Sequence, residues 1–476
     1  MREPPGRREE LKQREPHESR EDLARGGPRL EERVSKYMNI NSSKFSVDGT
    51  AIPEVNFDIG ESYAGLLPIS NNPNETRELF FWFFPSTNPD AENEITIWLN
   101  GGPGCSSLEG LLQENGPFLW QYGTFAPVRN PYTWVNLTNM VWVEQPVGTG
   151  FSQGTPNAQN EVDVAKQFLG FFKNFVETFR LQGKKVYIAG ESYAGSYIPY
   201  IADAMFDAND TTHFNIESIM MYDPAISTDT VQELVPAVAY LNYWQNLLAL
   251  NDTFMSFINA RSESCGYSSF LETYLKFPPD GPMPIPPEPK DGGGCFVWDE
   301  IYNAATSVNP CFNIYDITTT CPNLWDVLGD PGSYNYLPAG AQIYYDRPDV
   351  QQAIHAPPTK WRECADRDVF LNGTDTSPPT ALSDVLPRVI ERTNKTIIGQ
   401  GGLDFIIITN GTLLAIQNMT WAGTQGFSKP PTNDFFVPYH RDYSLSNVAG
   451  AGVFGKWVTE RGLTFVTVDL SGHSKS

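Results

Sequence analysis

The sequence predicts an α/β fold: a mainly parallel central sheet interrupted by an inserted, disulfide-stapled cap. Three observations predict it. Short apolar runs alternate with stretches of helical periodicity. A middle region rich in proline and cysteine breaks that alternation. Glycine-rich turns follow several apolar runs, which is where a parallel sheet carries its chemistry.

Taken in order, residues 1–36 open with MREPPGRREELKQREPHESREDLARGG, charged throughout and without an apolar signal region. They read as a solvated, mobile tail or as a start that is not the natural one. The core is expected over 37–224 and again over 346–476, with the cap at 225–345. Glu78–Phe84 (ELFFWFF) is a continuous apolar run ended by Pro85, fit for a buried strand. Ile95–Leu99 is the next strand and breaks at NGGPG, and Asn139–Glu144 is another, again followed by proline and glycine. Glu161–Arg180 has apolar residues at helical spacing, Lys184–Ala189 returns to strand, and SYIPYIADAMF is helical again. Residues 229–265 read as helical, and KFPPDGPMPIPPEPKDGGG after them suits neither helix nor sheet. Strands resume at Lys395–Gly399 and end with Leu463–Asp469.

Composition narrows the function. The 476 residues carry a formal charge of -23, which repels nucleic acid. No apolar run is long enough to span a membrane. Six cysteines without a CxxC pair suit three disulfides, and no metal or cofactor is expected. Nine Asn-x-Ser/Thr sequons stand at Asn41, Asn74, Asn136, Asn209, Asn251, Asn372, Asn394, Asn410 and Asn418. Together they favour a glycosylated protein of the secretory pathway, secreted or vacuolar.

The chemistry lies at three strand ends. In Gly190-Glu191-Ser192-Tyr193-Ala194-Gly195 a serine follows a strand, with small residues two before and two after it. That is the requirement of a strained nucleophile elbow. A serine nucleophile needs a base, and the base needs an orienting carboxylate. Of five histidines only His473 directly follows a strand, and Asp404 follows Lys395–Gly399. The order Ser192, Asp404, His473 is that of an α/β-hydrolase fold. Oxyanion donors are expected from the N–H groups of Tyr193, after the nucleophile, and Gly102, in the glycine turn after Ile95–Leu99.

WLNGGPGCSSLEGLLQENGP, GESYAG and the late Gly-Leu-Asp and Ser-Gly-His segments resemble the serine carboxypeptidase family. The resemblance runs from about residue 47 to the end, and FSVDGTAIPEVNFDIGESYAGLLPI is most similar to its fungal secreted members. It implies a capped active site that removes C-terminal residues from peptides at acidic pH. It also implies that Trp98, Asn100, Glu114 and Glu191 recognise the substrate's terminal carboxylate. On that reading Glu191 and Glu114 share a proton, because two poorly solvated carboxylates cannot both ionise cheaply. The resemblance further pairs Cys105 with Cys364. The four cap cysteines allow three connectivities, of which the nested Cys265–Cys321 and Cys295–Cys311 is adopted. The family continues beyond its Gly-His, whereas this sequence ends Ser471-Gly472-His473-Ser474-Lys475-Ser476, so a loosely held base is expected. The triad alone also suits an esterase or acyltransferase, and a loose base suits a disabled, non-catalytic secreted protein.

Overall fold

Strand β3 (Glu78–Phe84) shows how the sheet is built. Its side chains alternate between faces. Leu79, Phe81 and Phe83 enter one hydrophobic core, while Phe80, Trp82 and Phe84 enter another. Both faces are therefore covered, which a continuous apolar run requires. The computed structural model describes residues 35–287, 294–329, 337, 340–438 and 450–473. The proposed tail, except Ser35 and Lys36, lies outside the described residues, as does part of the proline-rich run.

Among the described residues the main sheet has eleven strands. In chain order the others are β1 (Ser46–Val47), β2 (Ser62–Pro68), β4 (Glu94–Leu99), β5 (Asn139–Glu144), β6 (Lys185–Glu191), β7 (Asn215–Tyr222), β8 (Thr396–Gly401), β9 (Asn433–Val437), β10 (Gly452–Glu460) and β11 (Leu463–Val468). Their spatial order is β1-β2-β3-β5-β4-β6-β7-β8-β11-β10-β9. The six from β5 to β11 pair in parallel, and both flanks are antiparallel. The C-terminal ends of β4, β6, β7, β8 and β11 thus open on one edge, the usual place for a site in such a sheet.

Helix α1 (Glu161–Phe179) begins where the Asn160 side chain accepts the Asp163 N–H at 3.0 Å, with acidic residues in its first turn. It ends at Arg180 in the left-handed conformation (φ 57°). Its buried phenylalanines meet the sheet: Phe175 lies edge-on to Phe81 and Phe83, at 5.3 and 5.4 Å between ring centres. Helix α2 (Ala194–Ala208) starts directly after the elbow.

Between β7 and β8 lie the helices α3 (Val235–Tyr243), α4 (Asp252–Ser264), α5 (Tyr267–Tyr274) and α6 (Val297–Val308). The helical reading of 229–265 breaks at Ala249, whose φ is +51°, and restarts where Asn251 caps α4.

The cap disulfides correct the sequence reading. Cys265 pairs with Cys295, not Cys321, and Cys311 pairs with Cys321, not Cys295. The reason is α6. Cys295 precedes this helix of 12 residues and Cys311 follows it. At 1.5 Å per residue the helix holds them about 18 Å apart, well beyond disulfide reach. Each half-cystine therefore pairs locally, across separations of 30 and 10 residues. Cys105 pairs with Cys364 across 259 residues. Backbone bonds flank this bridge, Ser106 N–H to Glu363 at 2.7 Å and Ala365 N–H to Gly104 at 2.9 Å. They tie the glycine turn after β4 to a distant segment.

Candidate active site

Ser192 sits between β6 and α2 with φ +60°, a conformation that costs a non-glycine residue strain. The elbow is possible because its neighbours are small. A Cβ on Gly190 would stand 2.1 Å from the Leu99 carbonyl oxygen. One on Gly195 would stand 2.7 Å from the Pro224 side chain. Ala194 is fully buried between them. Tyr193 stands at the start of α2, where helix N–H groups lack intrahelical acceptors and the dipole is positive. A Cβ on Gly101 would lie 2.4 Å from the Tyr193 nitrogen, so the glycine turn holding Gly102 packs directly on the elbow. The Tyr193 hydroxyl donates to Asp375 at 2.7 Å and anchors the side chain away from the nucleophile.

Asp404 and His473 meet at 2.8 Å, Oδ2 to Nδ1. Asp404 has no exposed surface and also accepts the N–H groups of Ile406 and Ile407, at 2.8 and 3.3 Å. Burial pushes its carboxyl up, against the pull of His473 and the two amides. The expectation of a loosely held base is not met. His473 is 5% exposed, its backbone N–H donates to the Tyr315 carbonyl at 2.7 Å, and its ring meets that of Tyr315 at a tilt, 5.1 Å between centres. The preceding loop is zipped to the Asp404 loop through Gly402 N–H to Val468 and Leu403 N–H to Ser471, at 2.8 and 2.9 Å. His473 Nε2 has no hydrogen-bond partner among the described residues and lines the same cleft as Ser192.

Beside the elbow, Asn100 organises a group of acids. Its Oδ1 accepts from Trp98 Nε1 at 2.8 Å and from the Gly110 N–H at 3.3 Å, which fixes the amide orientation. Its Nδ2 donates to Glu191 at 2.9 Å and to Glu109 at 3.2 Å. The carboxylates of Glu109, Glu114 and Glu191 offer oxygens within 4.8 Å of one another. Glu191 and Glu114 are 4% and 9% exposed, whereas Glu109 is partly exposed. A π-helical turn, Gly110–Asn115, causes the meeting, because π geometry brings residues five apart into register. A Cβ on Gly110 would stand 2.2 Å from Trp98 Nε1, so only glycine allows the turn to close on the tryptophan.

These groups surround a cleft of about 680 Å³, lined by Ser192, His473, Gly102, Asn100, Glu191 and Glu109 among others. Sequence reasoning missed two acids. Glu109 was taken only as part of a longer motif. Asp223, at the end of β7, offers a carboxylate oxygen within 4.8 Å of those of Asp404 and of a His473 ring nitrogen. It accepts from Gln400 Nε2 at 2.5 Å and the Gly401 N–H at 2.7 Å, and so braces the turn leading to Asp404. The strand-end rule that found Asp404 also points to Asp223, given the strand MMY before it.

Known proteins are similar to this chain over most of its length. The family model described as serine carboxypeptidase matches residues 53–476. A probable serine carboxypeptidase of Arthroderma benhamiae is 56% identical over 457 residues, covering 94% of this chain and 86% of that protein. The serine-type carboxypeptidase F of Aspergillus niger is 46% identical, covering 92% and 85%. Among solved structures, the prohormone-processing carboxypeptidase Kex1(delta)p of Saccharomyces cerevisiae superposes with a TM-score of 0.67 at 23% identity, covering 91% and 92%, a likeness of fold. The chain belongs to the serine carboxypeptidase family, a serine-type carboxypeptidase on an α/β-hydrolase fold.

Proposed function

We propose that the enzyme removes the C-terminal residue of peptides and proteins at acidic pH, with Ser192 as nucleophile, His473 as base and Asp404 as its orienting acid. His473 Nε2 takes the serine proton, Oγ adds to the scissile carbonyl, and the oxyanion receives the N–H groups of Gly102 and Tyr193. The imidazolium then protonates the leaving amino acid, and water repeats the sequence on the acyl-enzyme. Trp98 orients Asn100, and Asn100, Glu191 and Glu114 hold the substrate's terminal carboxylate.

One observation carries the exopeptidase reading: buried glutamates crowd around an amide directly beside the nucleophile. Such carboxylates cannot all ionise cheaply, so a proton held among them serves as a donor to an incoming carboxylate. A general esterase has no use for that donor. The test is release of the terminal amino acid from an N-blocked dipeptide, compared with the matching dipeptide amide. The free acid should be preferred by about 100-fold or more in kcat/KM, the scale of a lost charge-assisted pair. Equal rates would contradict the reading.

The secretory assignment rests on the sequons and disulfides. Among the described residues no helix is long and apolar enough to cross a membrane. Asn41, Asn74, Asn136, Asn209, Asn251, Asn372 and Asn394 are exposed, while Asn410 and Asn418 are partly buried. Asn418 Oδ1 also accepts the Met283 N–H at 3.0 Å, which a glycan would disturb. Peptide mapping of protein from a eukaryotic host should find glycans on the exposed group and little or none on Asn418. Full occupancy of Asn418 would contradict this.

A further inference from the structure

We infer that the disulfide Cys311–Cys321 is a clamp that positions the base for turnover, a reading that rests on the roles proposed above for Asp404 and His473. The bridge closes a loop across a separation of 10 residues. Within four residues this loop makes backbone bonds to both catalytic segments. The His473 N–H donates to the Tyr315 carbonyl at 2.7 Å, the Phe405 N–H to the Ile314 carbonyl at 2.8 Å, and the Ile317 N–H to the Leu403 carbonyl at 3.3 Å. Two of these bonds fall on the chain neighbours of Asp404. The bond from Asp404 Oδ2 to Nδ1 sets the His473 ring, and the Tyr315 carbonyl sets its backbone, so both supports of the base reach the same loop. The fit is close. A Cβ on Gly472 would stand 2.3 Å from the Tyr315 oxygen and 3.0 Å from the Asp316 Cβ, so a shift of Tyr315 passes directly to the residue before His473.

The loop cannot supply this rigidity alone. Among the described residues it contains no helix or strand. Cys311 is buried at its start, whereas Tyr315 and Cys321 are exposed. An irregular, partly exposed segment opens at low cost. The bridge ties its exposed end to its buried end and so limits how far Tyr315 can move from His473. Placement of the base is costly to lose, since a shift of about 1 Å costs on the order of 100-fold in rate. The second cap bridge, Cys265–Cys295, offers a comparison. It closes a longer loop, across 30 residues, and by the chain-entropy model stabilises the fold more. Neither of its cysteines lines the cleft, whereas Asn313, Tyr315 and Asp316 of the clamped loop do.

The test compares two double variants, Cys311→Ser with Cys321→Ser and Cys265→Ser with Cys295→Ser. Tm is measured for each, then kcat and KM for an N-blocked dipeptide well below both Tm values. Loss of the clamp should lower kcat by about tenfold or more. Covalent labelling of Ser192 by a fluorophosphonate should slow with it, because the base activates the nucleophile. Loss of Cys265–Cys295 should lower Tm further, yet leave kcat within a few-fold of the parent. A merely stabilising role would order the kcat losses as the Tm losses. Gly472→Ala keeps both bridges and presses on Tyr315, so it should also lower kcat by about tenfold, and it serves if the first variant does not fold. Near-parent kcat in the folded Cys311, Cys321 variant or in Gly472→Ala, or kcat losses that follow the Tm losses, overturns the inference. His473→Ala in the parent separates the two readings. If it abolishes turnover while the clamp variants stay active, the clamp fails alone. If it leaves turnover intact, the assignment of the base fails as well.

Discussion

Ser192→Ala should reduce turnover by about six orders of magnitude, the scale seen when a serine hydrolase loses its nucleophile. The change removes one oxygen at a partly exposed position. Alanine meets the same φ of +60° as serine, so the elbow keeps its strain but gains no clash. Secondary structure and Tm should stay close to the parent values, and covalent labelling by a fluorophosphonate should vanish. Peptidase activity within a few-fold of the parent would remove Ser192 from the mechanism.

A second large effect concerns pH and stability. Three glutamates, the fully buried Glu144 and Glu161 and the partly buried Glu233, hold protons more tightly than free ones. Glu144 is pushed up to about 7 by burial, against donors from Ser106, the Phe151 N–H and Trp361. Glu233 is pushed up to about 8, by burial first and then by Asp229, Asp404 and Asp299. Burial, with the charge of Asp375 next, raises Glu161 well above the ordinary carboxylate range. Neither of its carboxylate oxygens has a hydrogen-bond partner among the described residues.

The sign follows from proton counting. Above the unfolded value of about 4.3 the folded state holds protons that the unfolded chain has released, so stability falls as pH rises. The loss runs from about pH 4.3 to 7 for Glu144 and to about 8 for Glu233. For Glu144 it amounts to about 3 kcal/mol. Thermal scans at one rate should give a Tm roughly 5–10 °C lower at pH 8 than at pH 4.5. Glu161→Gln removes one of these titrations and should flatten the slope. A Tm that rises over this range would contradict the assignment of these three groups.

Much of this was legible in the sequence because the parallel strands are buried on both faces. β3, β4 and β5 are largely apolar runs with proline or glycine close behind them; the end of β4 marked the glycine turn and the end of β6 the elbow. The proposed triad of Ser192, Asp404 and His473 was read from three strand ends in the right order, and the structure brings Asp404 to His473 and places Ser192 on the same cleft. β7 was harder to find, since NIESIMMY is only half-buried and its polar start hides the strand. Asp223 was missed with it. Glu109 was missed for another reason. Ordinary helical spacing puts residues five apart on different faces, and only the π-helical turn brings Glu109 to Glu114. The cap disulfides were mispaired because the length and position of α6, not the cysteine spacing, decide which sulfurs meet.

The central claim is that a shared proton beside Ser192 binds the substrate's terminal carboxylate. KM against pH for an N-blocked dipeptide and for its amide tests it directly, together with the Glu114→Gln, Glu191→Gln double variant. As pH rises the shared proton is lost, and negative charges then face the substrate carboxylate. The dipeptide KM should climb by about tenfold or more between roughly pH 4 and 8, a window framed by ordinary carboxyl and imidazole values. The amide has no terminal carboxylate, so its KM should change much less. Glutamine keeps a donor and does not titrate, so the double variant should give a flattened dipeptide profile. A dipeptide KM independent of pH in the parent, or a double variant with the parent's slope, would contradict the account.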